Sequence, residues 1–245
     1  MPHLFMTKER FEYNLKIITI LLLSISLYGC ATTSSLDERD PMEGFNRGVY
    51  SFNQTMDDLI FDPIGDLYRA ITPDFIERGV TNFFNNLDDL SVIANEILQF
   101  KFGRASSDAA RFVINSTVGL LGFFDVSSEM GLSKHNEDFG QTLAQWGFES
   151  GPYIVVPFFG PASLRDLSSL VVDKGVLNPM FYIEDDMTKS GLLTLNYVDF
   201  KSRLSSTKEL VGAASLDEYE FIKNAYFEKR AYEINDGNVV DFIGE

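Results

Sequence analysis

From Phe45 onward the apolar residues return every three or four positions, and that spacing restricts the fold more than any other feature of the chain. Phe45, Val49, Phe52, Met56 and Leu59 form one helical stripe. It is predicted to stop at Phe61 or Asp62, because the residue before a proline, here Pro63, avoids the helical region. A second stripe runs from Asp74 to Phe102, with Asp74 as its N-cap and with Gly79 and Asn85-Asn86 as points where it can divide. Further helices are expected at 106–118, from Pro161 as a first helical residue, at 185–204, and at 215–234 behind a Ser215/Glu218 capping box. Between Gly151 and Gly160, Tyr153 to Phe159 is strand-like in composition but contains Pro157, and it reads as buried extended chain rather than as a strand in a sheet. No alternating run is long enough to specify a sheet, so the fold class is all-α with one short extended Gly/Pro-rich segment.

Ahead of the helical part, Lys8, Arg10 and Lys16 precede an apolar run, Ile17 to Leu27, that closes with Gly29 before Cys30. Basic, apolar, then small is the order of a secretory signal peptide. The run is about half the roughly 20 residues that cross a bilayer. Residues 1–29 are therefore set aside as a leader, 30–39 as a polar tether, 40–234 as the folded domain and 235–245 as an acidic tail expected to fray.

Composition removes several function classes. Cys30 is the only cysteine, and beyond the leader His135 is the only histidine, which excludes cysteine-rich or multi-histidine metal sites and Cys–His catalysis. A net charge of -16 argues against nucleic acid as a partner, since a phosphate backbone needs a basic footprint. No nucleophile elbow, P-loop or dinucleotide fingerprint occurs, and no cofactor is implied. The acidic pairs Asp57-Asp58, Asp88-Asp89, Glu137-Asp138 and Asp185-Asp186 fit no calcium loop and read as solvated helix ends. The 22 phenylalanines and 10 tyrosines leave two readings open, an ordinary core or aromatic surface facing lipid.

Several blocks carry a resemblance. Asp40-Pro41-Met42-Glu43-Gly44-Phe45-Asn46-Arg47 with Tyr50, Phe52 and Asn53 opens it, and Asn82 to Leu87 and Arg111 to Gly119, including Asn115, continue it, with Gly122 and Asp125 after them. Its most specific part is Glu137-Asp138-Phe139-Gly140-Gln141-Thr142-Leu143. Trp146-Gly147, Gly151-Pro152-Tyr153, Gly160-Pro161 and Arg165-Asp166 follow in order. The chain resembles the VacJ/MlaA family of outer-membrane phospholipid-transport lipoproteins along nearly its whole length, departing at Leu90, Ser116 and Tyr28. Leu27-Tyr28-Gly29-Cys30 resembles a bacterial lipobox, which implies diacylglyceryl and N-acyl groups on Cys30. Ala31, in place of the aspartate that retains lipoproteins in the inner membrane, implies a periplasm-facing, lipid-anchored place on the outer membrane.

The resemblance implies a membrane-embedded, ring-like bundle of amphipathic helices around a polar channel, acting without catalysis. Phospholipid misplaced in the outer leaflet would pass through the channel to a soluble periplasmic lipid-carrying shuttle, with the ring held beside a trimeric porin. Asn46 and Arg47 are candidates for meeting a phosphate or for setting the angle of the first helix, or they belong to a hydrogen-bond network with Asp40 and Glu43. Gly119 and Gly122 are candidates for flanking a gate over the channel, or form plain tight turns. The rival reading is an envelope lipoprotein that only scaffolds porins or the cell surface. Because two or three acyl chains anchor firmly, at about 0.8 kcal/mol per buried CH₂, Cys30→Ala should abolish incorporation of radiolabelled palmitate and release the protein from membrane pellets. Retained label would show that another residue is acylated.

Overall fold

The computed structural model describes residues 37–238. The leader, Cys30 and the tail beyond Asn238 lie outside the described residues.

Helix α1, Glu43–Met56, does not end before Pro63 as expected. It opens into a π-helical turn, Asp57–Phe61, and continues as α2, Asp62–Ile71, with Pro63 in the first turn. An i→i−4 ladder has no room for the proline ring. Here the Asp62 N–H reaches back five residues to the Asp57 carbonyl, which widens the helix where the ring enters. The stop comes instead at Thr72, held extended before Pro73.

Helix α3, Asp74–Leu98, is one unbroken rod of 25 residues, and Pro73, not Asp74, occupies its N-cap. Gly79 does not divide it: a Cβ there would sit 2.1 Å from the Phe123 ring, so the missing side chain makes room for a neighbour. Asn86, equally expected to break the rod, is buried and donates to Ser116 Oγ at 2.9 Å. After three connecting residues α4, Phe102–Thr117, packs back along α3. Short helices α5, Val126–Glu129, and α6, Phe139–Gln145, follow.

The segment read as lone extended chain is the first strand of an antiparallel hairpin. Strand β1, Tyr153–Val156, pairs with β2, Gly160–Ser163, with Tyr153 opposite Ser163 and Val156 opposite Gly160. Pro161 is thus a strand residue and not the start of a helix. Its partner Val155 turns its N–H to Asn46 Oδ1 at 3.0 Å, so the ladder does not use the hydrogen that Pro161 lacks. Helix α7, Leu167–Val171, runs through a second π turn and a 3₁₀ turn, Pro179–Tyr182, into α8, Asp186–Ala214, which ends ten residues later than expected. Helix α9, Glu218–Ile234, is capped by Asp217, which accepts from the Glu220 N–H at 3.2 Å, rather than by a Ser215 box.

Two boundaries shift. Tether residue Arg39 accepts from the Tyr153 N–H at 2.7 Å and lays its guanidinium 4.7 Å from the centre of the Phe227 ring, so the fold begins before Asp40. The start of the acidic tail is ordered too, because Asp236 pairs with Lys101 and, at 2.6 Å, with Arg104.

Burial is inverted relative to a water-soluble domain. The apolar core is small, built on Tyr153, Val155 and Tyr219 with Val49, Tyr50, Tyr226 and Phe227 against it. Among the described residues, more than twice as many polar as apolar side chains are fully buried. Large apolar residues stand outside instead, among them Leu59, Leu67, Ile71, Phe75, Phe100 and Phe102. No described helix is long and apolar enough to cross a membrane.

Asn46 ties this arrangement to the hairpin. Fully buried, it donates to Asp40 Oδ1 at 2.7 Å and to the Tyr153 carbonyl at 3.1 Å, and it accepts from Val155. Asn46→Ala leaves those groups unpaired, at about 1–3 kcal/mol each for the worst placed. Denaturant unfolding in detergent should show a loss of about 3 kcal/mol; an unchanged midpoint would mean that the hairpin is held by something else.

Candidate functional site

Along α3 the polar residues Asp74, Arg78, Asn82, Asn85 and Asp89 recur at steps of three and four, with Thr81 beside Asn82, so they share one face. Two cavities open along it. The larger, about 310 Å³, is lined by Asp74, Glu77, Arg78, Thr81, Asn82 and, from α8, Arg203. The smaller lies between Asn82, Asn85, Asn86, Asp89, Arg111, Asn115, Asp125 and Lys134, and Asn82 borders both. Thr81 donates to Asp199 at 2.8 Å and Arg203 pairs with the same carboxylate at 3.1 Å, which fixes the α8 side of the larger cavity. Two guanidinium groups beside two carboxylates suit a zwitterion: phosphate oxygens to Arg78 and Arg203, an ammonium to Asp74 and Glu77.

The smaller cavity is walled by ion pairs. Lys134 bonds Asp89 Oδ1 at 2.6 Å and the Asn85 carbonyl at 2.8 Å. Burial nevertheless keeps the Asp89 carboxyl above its ordinary range, outweighing Lys134. Asp125 goes the other way. Burial alone would raise it, but hydrogen bonds from Ser128, Ser127 and Asn115 and the charge of Arg111 hold it well below the usual carboxylate range. Asn115 donates to Asp125 at 2.9 Å and accepts from the Ser127 N–H at 3.0 Å, so it joins α4 to the start of α5.

Gly119 to Phe124 straps across this face. Gly122 has φ +89° and its backbone lies against Asn86, where a Cβ would come within 2.5 Å. Gly119 is equally tight, since its Cβ would meet the Phe124 and Asn115 carbonyls. Asn82 donates to the Phe123 carbonyl at 3.3 Å while Leu120, Leu121 and Phe124 face outward. Leu120 and Leu121 hold φ of 53° and 60°, a left-handed pair costing on the order of 1–3 kcal/mol each.

Asn46 and Arg47 have other neighbours and border neither cavity. Arg47 pairs with Glu43 at 2.7 Å, Asp217 at 2.9 Å and Glu220 at 3.2 Å, and lies 4.3 Å from the centre of the Tyr219 ring. With Asp40, which accepts from the Tyr219 hydroxyl at 2.5 Å, these residues form a network at the start of α1. Pro41 leads into that helix; Phe52 sets its ring edge-on to Phe158, and Asn53 bonds the Val156 carbonyl and the Phe158 N–H at 3.0 and 2.8 Å.

The block around α6 is a second junction. Asp138 caps the helix by accepting from the Gln141 N–H at 2.8 Å, while the Phe139 and Gly140 N–H groups donate to Asp173 and Ser169. Arg230 of α9 bridges Asp138 at 2.6 Å and Asp166 at 3.0 Å, and Asp166 also pairs with Arg165. A side chain at Gly140 would strike the Asp166 carboxylate. Trp146, half-exposed, donates to the Leu98 carbonyl at 3.2 Å. Gly147, Gly151 and Gly160 take positive φ at turns, and the Pro152 carbonyl accepts from Leu164. The acidic pairs are therefore not simply solvated helix ends. Asp89 and Glu137 are buried, Asp57 binds Lys201 at 2.6 Å, and Asp138 is a bridge; only Asp185 merely caps a helix.

Sequence reasoning took Asp89 for a solvated helix end and missed Arg78, Arg203 and the buried pair Glu96 and Asp108, where burial and the facing Asp108 raise the Glu96 carboxyl to about 8. A polar repeat opposite the apolar stripe of α3 was the available signal. Arg230 supplies a pH test. Burial opposes ionisation of Asp138 and Asp166, yet Arg230 holds both below 3.8, so their contribution is present above that pH and is lost as pH falls through the lower folded values. Arg230→Met should cost about 3–5 kcal/mol at pH 7 and much less at pH 3, read by denaturant unfolding in detergent; an equal cost at both would detach Arg230 from these carboxylates.

Comparison with known proteins agrees with this geometry. The pattern of the MlaA lipoprotein family matches residues 38–233. The chain is 30% identical over 232 residues to the Escherichia coli intermembrane phospholipid transport system lipoprotein MlaA, covering 92% of this chain and 91% of that one. It is 33% identical over 195 residues to an uncharacterised protein of Rickettsia felis, covering 80% and 78%. A chain solved in work on the structural basis for maintenance of bacterial outer membrane lipid asymmetry superposes with a TM-score of 0.69 at 28% identity, covering 80% of this chain and 99% of that one. The helical architecture, the polar junctions at Asp40 and Asp138 and the length of the match have one explanation: this chain belongs to the MlaA lipoprotein family.

Proposed function

We propose that this protein removes mislocalised phospholipid from the outer leaflet of the outer membrane and hands it to a soluble periplasmic lipid carrier, maintaining lipid asymmetry. The observation that carries the reading is the inverted burial: an apolar exterior for acyl chains around a polar interior that opens at the Arg78–Arg203 cavity. In hydrocarbon an unpaired head group is very costly, so a lipid crosses only where polar groups replace its water. The cavity offers both signs of charge for that exchange. No bond is broken, and the protein works without catalysis.

Acyl groups on Cys30 tether it to the outer membrane from the periplasmic side. The exposed apolar helices then seat it in the inner leaflet without a spanning segment, since each helix satisfies its own backbone. A trimeric porin would hold it at a set depth.

Reconstitution tests this directly. Protein in vesicles carrying fluorescent phospholipid should pass intact lipid to a soluble acceptor, and Arg78→Glu with Arg203→Glu should slow transfer at least about tenfold, the equivalent of 1.4 kcal/mol. Leu216→Ala, at a fully exposed position away from the cavity, should leave the rate unchanged. Absence of transfer from protein that still associates with a porin would favour the scaffold reading, and release of lysophospholipid would make it a lipase.

A further inference from the structure

Glu96 of α3, Asp108 of α4 and His135, in the loop before α6, converge on one point with a ligand atom from each within 4.8 Å of the others. Glu96 and Asp108 are fully buried. Neither oxygen of Glu96 has a hydrogen-bond partner, and Asp108 Oδ1 has none either. His135 Nδ1 lies 2.6 Å from Asp108 Oδ2 and 3.8 Å from Glu96 Oε1. Two arginines stand near the pair: Arg111 holds its Nε 3.7 Å from Asp108 Oδ1, beyond hydrogen-bond reach, and spends its remaining nitrogens on Asp125, Ser128 and Leu132, while Arg104, whose charge also acts on Glu96, pairs with Asp236 and Glu137.

Two buried acid groups that face one another this closely either share a proton or hold a cation between them. From this geometry we propose that Glu96, Asp108 and His135 bind one divalent transition-metal ion, with zinc as the best fit. Three protein ligands, one nitrogen and two oxygens, leave a fourth tetrahedral position for water. The partly exposed side of His135 gives that position a route to solvent. An imidazole ligand favours zinc over magnesium or calcium, which take oxygen alone. Zinc bonds of about 2.0–2.2 Å would draw the three atoms closer than they stand. The ion would clasp the 132–138 loop to the α3–α4 pair. That loop carries Lys134, which walls the smaller cavity, and Glu137, which bonds Gln99 and Lys101.

The experiment is calorimetric titration of the untagged full chain in detergent, after dialysis against a chelator, with zinc alone and then with calcium alone. One zinc per chain, no calcium binding and a raised melting temperature are expected. His135→Gln sits at a partly exposed position and is checked for native helical content by circular dichroism; it should weaken zinc binding at least tenfold, as should Glu96→Gln. Should Glu96→Gln fail to fold, His135→Gln decides. Absence of zinc binding, or unweakened binding in His135→Gln, overturns the site. So does a melting temperature that responds to pH but not to zinc, which would leave a shared proton, not a metal, between the two carboxyl groups.

Discussion

Hydrogen bonds and ion pairs between side chains hold the interior of this protein together, in the place where most domains have an apolar core. Three acidic residues act as hubs. Asp40 gathers Asn46, Tyr219 and Lys223; Asp125 gathers Arg111, Asn115, Ser127 and Ser128; and Asp166 gathers Arg165, Tyr226 and Arg230. The hubs join the start of α1 to α9, α4 to the neighbouring α5, and the end of the hairpin to α9. A charge network of this kind specifies geometry more sharply than greasy packing does, because each member must reach a particular partner or remain unpaired at a cost.

The membrane setting that we propose makes such an interior favourable. In water the hydrophobic effect would draw the exposed phenylalanines and leucines inward, but acyl chains are as apolar as the side chains and exert no such pull. What remains to organise the fold is the cost of leaving polar groups unsatisfied. The same cost governs a lipid head group, so a polar interior and a path for that head group have one physical origin. The strap from Gly119 to Phe124 sits where the two regimes meet, with Phe123 and Gly122 against α3 and three apolar side chains outward.

Much of the secondary structure was legible in the sequence and some of it was misleading. The three-and-four spacing located the helices that begin at Glu43, Asp74 and Phe102, because the apolar stripe of a helix has that period in any solvent, but it gave no sign of α2. Pro63 misled because a π turn, invisible in the composition, lets the chain pass a proline. Pro161 misled because the hairpin uses the one register in which its absent N–H is not needed. The blocks at 40–47 and 137–143 stood out as motifs, yet their roles as junctions emerge only once Arg47 meets Asp217 and Arg230 meets Asp138, contacts that span about 170 and 92 residues of chain.

By itself, the sequence determined a mostly helical chain, the absence of familiar catalytic motifs and two faces on each helix, and it led us to expect a secretory leader and an anchor at Cys30. It could not determine which face turns inward, since periodicity distinguishes polar from apolar and is silent about the solvent outside. Tertiary structure decided that. It placed Asp89, Glu96, Asp108 and Asp173 in the interior, brought Arg203 of α8 across from Arg78 of α3, and left Phe75, Phe100 and Phe102 outside. The physical reason is that burial and ion pairing are properties of the assembled helices, fixed by contacts between residues that no local pattern connects.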